Sequence, residues 1–360
     1  MAEEFISASL VLPGTYIRVR SEGLIGVGGI STGNIGLVGT ASGGVSETHN
    51  LSSAAEALDN FGDPDAVTTR KLNLTRIATE LFKGGARTVY ARGVAQSAVQ
   101  TDYEAAFAEI IKEDVQILVA PELDTLTALA VLQPILESSE NNGQDLIAVV
   151  GADGADANTI EGQTVNNDRV ILVAPGYFVP NPADPDNRKA DVALPGNFIA
   201  APVAGLISTL APHSSPTNKS LPGVPRLTQR FSYSERVKLV NNRIFALEQR
   251  QGVRVVRGLT TDNAGFTQVT TRRIVDFAKA GIRKVSNPFI GRLNNVRIRA
   301  ALQGAIDGFL TTMLVDEQLT NYQLEVTATR QDEINSRVIV NVLLQPTFSI
   351  DFVAVTLVLE

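Results

Sequence analysis

Between residues 88 and 174 short apolar runs alternate with helical stretches, and this rhythm constrains the fold more than anything else in the chain. The runs at 88–92, 115–120, 146–150 and 170–174 read as strands; 103–111, 123–138 and, weakly, 156–166 carry helical periodicity between them. Runs such as Leu-Ile-Ala-Val-Val at 146–150 are continuous rather than alternating, so both faces of these strands are expected to be covered. Strand, helix, strand at this spacing requires βαβ crossovers. The expected class is α/β, in a mixed α+β form: a parallel or mixed sheet with covering helices, followed by a C-terminal α+β unit.

The chain before this region is glycine-dense from 23 to 44, with a strand expected at 35–38 and a short helix from Ser52-Ser53 to about Phe61-Gly62-Asp63-Pro64. A helix over 72–83 carries its apolar stripe on Leu72, Leu74, Ile77, Ala78, Leu81 and Phe82, with Gly84-Gly85 as its C-terminal cap. Residues 177–191 and 212–225 read as loops, and the helix between them opens at Pro195-Gly196-Asn197 and runs through Ile207. Further on, the pattern predicts a helix over 232–249 capped by Ser232 or Ser234, a strand at 253–259, and helices at 271–286 and 291–317, the latter with a break. Strands at 323–329 and 338–344 then flank a turn at 332–335. The expected organisation is an arm at 1–20, an α/β domain at 21–225 whose part 21–100 is Gly-rich and β, a basic C-terminal domain at 226–345, and a final strand at 346–360.

Charge is segregated. Between Arg226 and Arg299 sixteen basic residues stand against four acids (Glu235, Glu248, Asp262 and Asp276), a surplus of twelve in a chain whose net charge is −7. A basic block in an acidic body fits a face that recognises an acidic partner, and Arg236, Lys238, Arg243, Arg272, Arg273, Lys279, Arg283 and Lys284 are its candidate contacts. Nucleic acid would account for the same charge. Against it, the aromatic residues of the block (Phe231, Tyr233, Phe245, Phe266, Phe277 and Phe289) fall mostly at core-like helical positions, and no helix-turn-helix, zinc or RNP pattern is present. Absence of cysteine removes disulfides, thiolate nucleophiles and cysteine metal sites together. Neither a signal peptide nor an eighteen-residue apolar run is visible, so a soluble product without membrane insertion is expected.

Fragments that imitate catalytic motifs fail on context. Gly29-Ile30-Ser31-Thr32-Gly33 has the G-x-S-x-G spacing, but a nucleophile elbow needs a strand before it and a helix after it, and Asn34 and an apolar strand follow here. The two histidines, His49 and His213, lie in polar, loop-like surroundings. Gly28 and Gly33 are spaced as in a P-loop, yet Asn34-Ile35 stands where Lys and Ser/Thr are needed, and Ser31 takes the third glycine position of a dinucleotide fingerprint. Asp153, Asp156, Asn158 and Glu161 lack the spacing of a calcium loop. No catalytic residue, cofactor or metal is expected.

Both terminal segments are apolar. PTFSIDFVAVTLVLE at 346–360 starts by alternating and turns almost wholly hydrophobic; near the start, Phe5, Ile6, Leu10, Val11 and Leu12 lead into Pro13-Gly14 and Thr-Tyr-Ile-Arg-Val at 15–19. An uncovered strand is a pairing template, so these arms are expected to add to sheets of neighbouring copies. Leu10, Leu12, Tyr16, Ile17, Phe348, Ile350, Phe352, Val355 and Leu357 are the candidate contacts. Such a contact is heterologous and propagates as a ring or helix rather than closing as a dimer.

Segments in order along the chain resemble the tail sheath protein of contractile phage tails and related contractile injection systems. Leu12-Pro13-Gly14-Thr15-Tyr16-Ile17 is similar to the family's PGVY-type segment, and Phe82-Lys83-Gly84-Gly85, running on to Val89-Tyr90-Ala91-Arg92, to its F-x-N-G-G…V-x-R stretch, with Lys83 in place of Asn. Pro195-Gly196 followed by Val203-Ala204-Gly205 resembles P-x-S-G-x-V-A-G. Gly252-Val253-Arg254-Val255-Val256-Arg257-Gly258-Leu259-Thr260-Thr261 resembles G-x-x-V-W-G-x-R-T without its tryptophan, Thr271-Arg272-Arg273-Ile274 resembles the R-R helix that follows, and Asn287-Pro288-Phe289-Ile290-Gly291-Arg292 continues the series. The resemblance implies a structural protein, not an enzyme: stacked six-subunit rings wound around an inner tube, joined by terminal arms, whose contraction drives the tube into a cell envelope during viral genome ejection. It implies as partners other copies of the chain, the inner tail tube protein, and baseplate and tail terminator proteins, in a virion tail assembled in the bacterial host cytoplasm, with the basic helices facing an acidic tube. A reading from another class is a cytoplasmic α/β enzyme, or a nucleic-acid-binding protein using residues 226–299.

Overall fold

The structure is a computed structural model describing residues 29–358 apart from 68, 155, 182, 183 and 185. The glycine-dense stretch leads into β1 (Ile35–Thr40), followed by β2 (Thr48–Leu51), α1 (Ala54–Phe61), α2 (Leu74–Gly84) and β3 (Val89–Val94). The alternating region gives α3 (Gln100–Ile110), β4 (Ile117–Val119), α4 (Thr125–Asn141), β5 (Ile147–Gly151), α5 (Ala157–Glu161) and β6 (Val170–Ala174). Next come β7 (Tyr177–Val179), β8 (Val192–Ala193), α6 (Ala200–Thr209), β9 (Arg226–Leu227), α7 (Tyr233–Asn241), β10 (Phe245–Gln249) and β11 (Val253–Val255). The last elements are α8 (Val269–Ser286), α9 (Val296–Val315), β12 (Leu319–Thr327), α10 (Arg330–Ile334) and β13 (Ile339–Pro346).

The main sheet has the order β11-β10-β6-β5-β4-β1-β3-β2. Its six inner strands, from β10 to β3, run parallel, and each edge carries one antiparallel strand. Side chains alternate between faces, as strand geometry demands: Leu37, Val149 and Val173 join one core with residues of α1, α2 and α6. Val38, Val150 and Leu172 join the other, with residues of α3, α4, α5 and α7. Helices α2 and α6 meet backbone to backbone, since a Cβ on Gly205 would lie 2.4 Å from the Leu81 carbonyl oxygen. A separate core forms between α8, α9 and the two-stranded β12–β13 sheet, with Ile274, Ala278, Ile306, Leu310 and Met313 inside it.

The expected helix at 232–249 is two elements. Ser232 caps α7 through a capping box with Glu235, but Arg243 takes a left-handed backbone (φ 59°) and the buried run that follows is β10, parallel to β6. The main sheet therefore takes in residues 245–255, beyond the division expected at 225. The strand at 253–259 is shorter than expected, stopping at Val255. The turn at 332–335 is the short helix α10, capped by Thr329. Strands β2, β7, β8 and β9 answer no expectation. Pro346 belongs to β13, and 347–358 carries no strand, so the anticipated terminal strand is unpaired within the chain. The arm at 1–20, with Leu10, Leu12, Tyr16 and Ile17, lies outside the described residues.

Candidate assembly interface

The C-terminal arm leaves the body at a built anchor. The N–H of Thr347 donates to the Gln318 carbonyl at 3.0 Å, and the N–H and hydroxyl of Ser349 both donate to the side-chain oxygen of Gln268 at 3.1 Å. Asp351 accepts from Arg257 at 2.7 Å and from Thr217 at 3.1 Å. Outside this anchor, Phe348, Ile350, Phe352, Val353, Val355, Leu357 and Val358 are all exposed, Leu357 to 86%. Closely spaced exposed apolar side chains, on a segment that belongs to no strand, form the kind of patch that marks an interaction surface. The nearest sheet, β12–β13, has two strands, fewer than a sheet needs to be stable by itself, and is propped on one side by α8 and α9.

The eight expected basic contacts are engaged within the chain. Arg272 (4% exposed) donates to Asp168 at 2.7 Å and to Asp276 at 2.6 Å; Arg273 (6% exposed) donates to the carbonyls of Thr32, Leu210 and Ala211. Burial on this scale takes Arg272 and Arg273 out of reach of an outside partner. Lys279 bridges Glu140 and Asp145, and Arg283 meets Asp145 at 2.6 Å. At the heart of this cluster Arg169 donates to Glu140, Asp145 and Asp276, joining α4, the loop before β5 and α8. Elsewhere Arg236 pairs with Glu248, Lys238 with Glu161 at 2.6 Å, Arg243 donates to the Thr261 carbonyl at 3.1 Å, and Lys284 donates to the Gly29 carbonyl at 3.3 Å. Much of the acidic partner implied by the charge count is the chain's own α/β half. Lys238 and Arg283 keep the most side-chain surface among those paired with carboxylates.

Electrostatics follow the geometry. The Arg169 hydrogen bond outweighs burial and holds the Glu140 carboxyl at about 2. For Asp145 burial pushes upward, but hydrogen bonds from Lys279 and Arg283 win and keep it below the usual carboxylate range. For Asp276 burial wins over Arg272 and Arg169, and its pKa is raised.

The residues of the imitated motifs have structural work. The Ser31 hydroxyl donates to Asp114, His49 packs edge-on against Phe61, and His213 is exposed in the turn after α6. Asp156 caps α5, and Asp153 accepts the N–H groups of Thr125 and Asn197. The crevice at the carboxyl ends of β1 and β4, where open α/β sheets bind ligands, holds Glu122. Its oxygens accept from the N–H of Thr40 at 2.7 Å, the hydroxyls of Thr40 at 2.8 Å and of Tyr103, and Asn73 at 3.0 Å. Sequence reasoning missed Glu122, Arg169, Gln268 and Asp351; the first two carry no local signal, and Asp351 is the one charge in the apolar tail before its final residue, Glu360.

A covered α/β sheet, a small satellite sheet and an anchored apolar arm define a mixed α/β protein with a separate C-terminal sheet domain. The sequence matches the phage tail sheath protein central domain over residues 96–261 and the phage tail sheath C-terminal domain over 261–360. The chain belongs to the phage tail sheath family, whose members are structural rather than enzymatic. It is thus a contractile-sheath component of phage tails or phage-tail-like injection particles. Comparison with curated protein sequences gives no match. Among solved structures it is similar to the helical sheath of the anti-feeding prophage in its contracted state, with 19% identity, TM-score 0.75, and 97% of this chain and 99% of that chain covered. It is similar also to the contracted PVC sheath of an extracellular contractile injection system (17%, 0.72, 97% and 98%). A third is the sheath tail protein of Desulfitobacterium hafniense (12%, 0.68, 93% and 100%).

Proposed function

We propose that the protein polymerises as stacked six-subunit rings around an inner tail tube, and that the resulting sheath shortens to drive the tube through a cell envelope. The observation that carries this reading is the anchored tail: seven apolar side chains between Phe348 and Val358 are exposed, on a segment that joins no strand of its own chain and follows a sheet of two strands. Adding such a segment to a neighbour's sheet satisfies its backbone hydrogen bonds and buries its side chains in one step. Residues 1–20, including Leu10, Leu12, Tyr16 and Ile17, are the second linking arm in this scheme. Lys238 and Arg283 are the basic residues best placed to touch an acidic tube.

Baseplate and tail terminator proteins bound the polymer, which assembles in the host cytoplasm before becoming part of the particle. Burying five tail side chains contributes about 7 to 15 kcal/mol at roughly 1.5 to 3 kcal/mol each. Ordering ten residues costs about 10 to 20 kcal/mol. The two terms nearly cancel, so polymerisation needs a template. The test is negative-stain microscopy of the protein mixed with its tube partner, for the full chain and for a chain lacking residues 352–360. Striated tubes from the full chain and dispersed particles from the truncated one are expected; tubes from both would remove the arm from the mechanism.

A further inference from the structure

The two margins of the main sheet carry opposite charge. At the β10–β11 margin, Arg236 of α7 and Arg250 both pair with Glu248, Arg250 at 3.2 Å, and Glu248 stands opposite Arg254 in the strand register. Directly opposed residues point to one face, so these side chains share a surface. Arg254 donates to the Asn218 carbonyl at 2.9 Å, and Arg230 to the side chain of Gln249 at 3.3 Å. Among the described residues, Glu248 is the one carboxylate that any of the four guanidinium groups pairs with. The cluster around Arg169 is neutralised within the chain; this one keeps a surplus. Tyr233 and Val237, one turn apart on α7, are exposed to 78% and 41%. Tyrosine, an apolar neighbour and arginine together have the composition of a contact surface.

At the other margin, residues 42–66 contain Glu47, Glu56, Asp59, Asp63 and Asp65 and neither lysine nor arginine. They form β2, α1 and the turns around them. The cations nearest in sequence are engaged elsewhere: Arg76 is buried against Asp65, Arg92 donates to the Thr48 hydroxyl at 3.0 Å, and Arg70 and Lys71 line the crevice that holds Glu122. Glu47, Asp59 and Asp63 are exposed, and so are Val45 and Leu58. Eight strands at roughly 4.8 Å spacing set the two margins about 34 Å apart.

We propose that the β10–β11 margin of one copy docks on the β2–α1 margin of the next, arginines against carboxylates, so that copies stand side by side in a single direction. The occupant of the basic margin is therefore a second copy of this chain. A two-fold dimer would set like margins face to face, cation on cation or acid on acid, whereas opposite margins repeat head to tail. Residues 218–221 already cover the backbone of β11, so the contact is made by side chains. The proposal rests on the reading that copies polymerise, and it adds a lateral contact made without the arms.

The experiment uses the full chain in two variants, Arg230→Glu with Arg250→Glu and Asp59→Lys with Asp63→Lys, assembled on the tube partner at low salt and viewed by negative-stain microscopy. All four positions are exposed, so both variants are expected to melt close to the parent. Alone, each should form several-fold fewer sheaths, because like charges then meet at every lateral contact. Mixed in equal amounts they should recover, since each altered margin meets the altered margin of the other; a chain carrying all four changes should recover too. Undiminished assembly of either variant alone overturns the proposal. Loss without recovery in the mixture also overturns it, and would assign the basic margin to the tube. If a reversal lowers the melting temperature, Arg230→Gln with Arg250→Gln and Asp59→Asn with Asp63→Asn replace it: a smaller drop in sheath number is expected, and parental numbers overturn the proposal. Failure of the parent chain to form sheaths would instead sink the assembly reading, whereas a parent that assembles beside unaffected variants sinks the margin contact alone.

Discussion

The guanidinium of Arg169 stands 2.9 Å from the carboxylate of Asp145, and both side chains are almost wholly buried. Arg169 also holds Glu140 with two parallel bonds, from Nε at 2.9 Å and Nη2 at 2.6 Å. Replacing it with methionine leaves Asp145 and Asp276 without their shared cation, and breaking a buried pair in this way costs about 3 to 5 kcal/mol. Arg169→Lys is expected to recover only part of that, because an ammonium cannot reproduce the two-pronged bond. Urea unfolding midpoints of the three proteins decide the matter.

Acid should weaken the same junction. Glu140 is held at about 2 against an unperturbed 4.5, so its contribution is complete above pH 4.5 and fades as pH falls toward 2. Asp145, also depressed, acts in the same direction. Asp276 acts oppositely: its raised pKa makes its ionisation unfavourable to folding, and protonation gives a little back. Two carboxyls outweigh one, so stability should drop between pH 4.5 and 2, and Glu140→Gln should flatten the drop while lowering stability at pH 7. Unfolding midpoints at pH 7, 4.5 and 3 measure both effects.

Gly281 faces the Phe309 ring so closely that an added Cβ would lie 1.9 Å from it. Alanine gains about 1 kcal/mol of helix propensity over glycine. Forcing a methyl into a filled core costs about 1 to 3 kcal/mol, and at this distance the upper end applies, so Gly281→Ala should be destabilising. Phe309→Leu in the same chain should restore much of the loss, as seen in a thermal melt.

Phe352→Asp with Leu357→Asp should leave the isolated subunit within about 0.5 kcal/mol of the parent, since substitutions at exposed positions rarely exceed that. Both residues are exposed. Assembly on the tube should nevertheless be lost. Calorimetry of the subunit and microscopy of the mixture read the two halves of this expectation separately.

Charge reversal at Arg272 should behave differently from reversal at Lys238. Arg272→Glu would put a carboxylate where the guanidinium now contacts Asp168 at 2.7 Å and Asp276 at 2.6 Å, and the subunit should be destabilised by about 3 kcal/mol or more. Lys238→Glu touches a half-exposed pair with Glu161, worth at most about 1 kcal/mol, and should fold normally. Circular dichroism and urea midpoints distinguish the two before any assembly is attempted.

The parallel strands were legible because continuous apolar runs such as Ile147–Gly151 have little alternative to a doubly covered sheet. Strand β10 was not, because Ile244, Phe245, Ala246 and Leu247 form an apolar run too short for periodicity to tell strand from helix, and the left-handed turn at Arg243 has no glycine to announce it. The apolar tail was visible as a run of residue types. The basic cluster misled for a different reason: a charge count registers sign but not pairing, and the partners of Arg272 and Arg169 lie 104 and 107 positions away. Gln268 and Asp351 look ordinary in sequence because their role is created by the chain returning to the start of α8.

The main sheet finishes at both ends. One margin is the four-residue β2; at the other, β11 is covered by 218–221, whose backbone exchanges hydrogen bonds with Val253 and Val255. In the vocabulary of polymer chemistry, the β11 margin is a closed end, and the β12–β13 pair is one place where valence remains. A subunit that offers two sheet edges and, in the proposed scheme, two arms has the valence of a net rather than of a thread, so a missing copy should leave a hole that its neighbours still span.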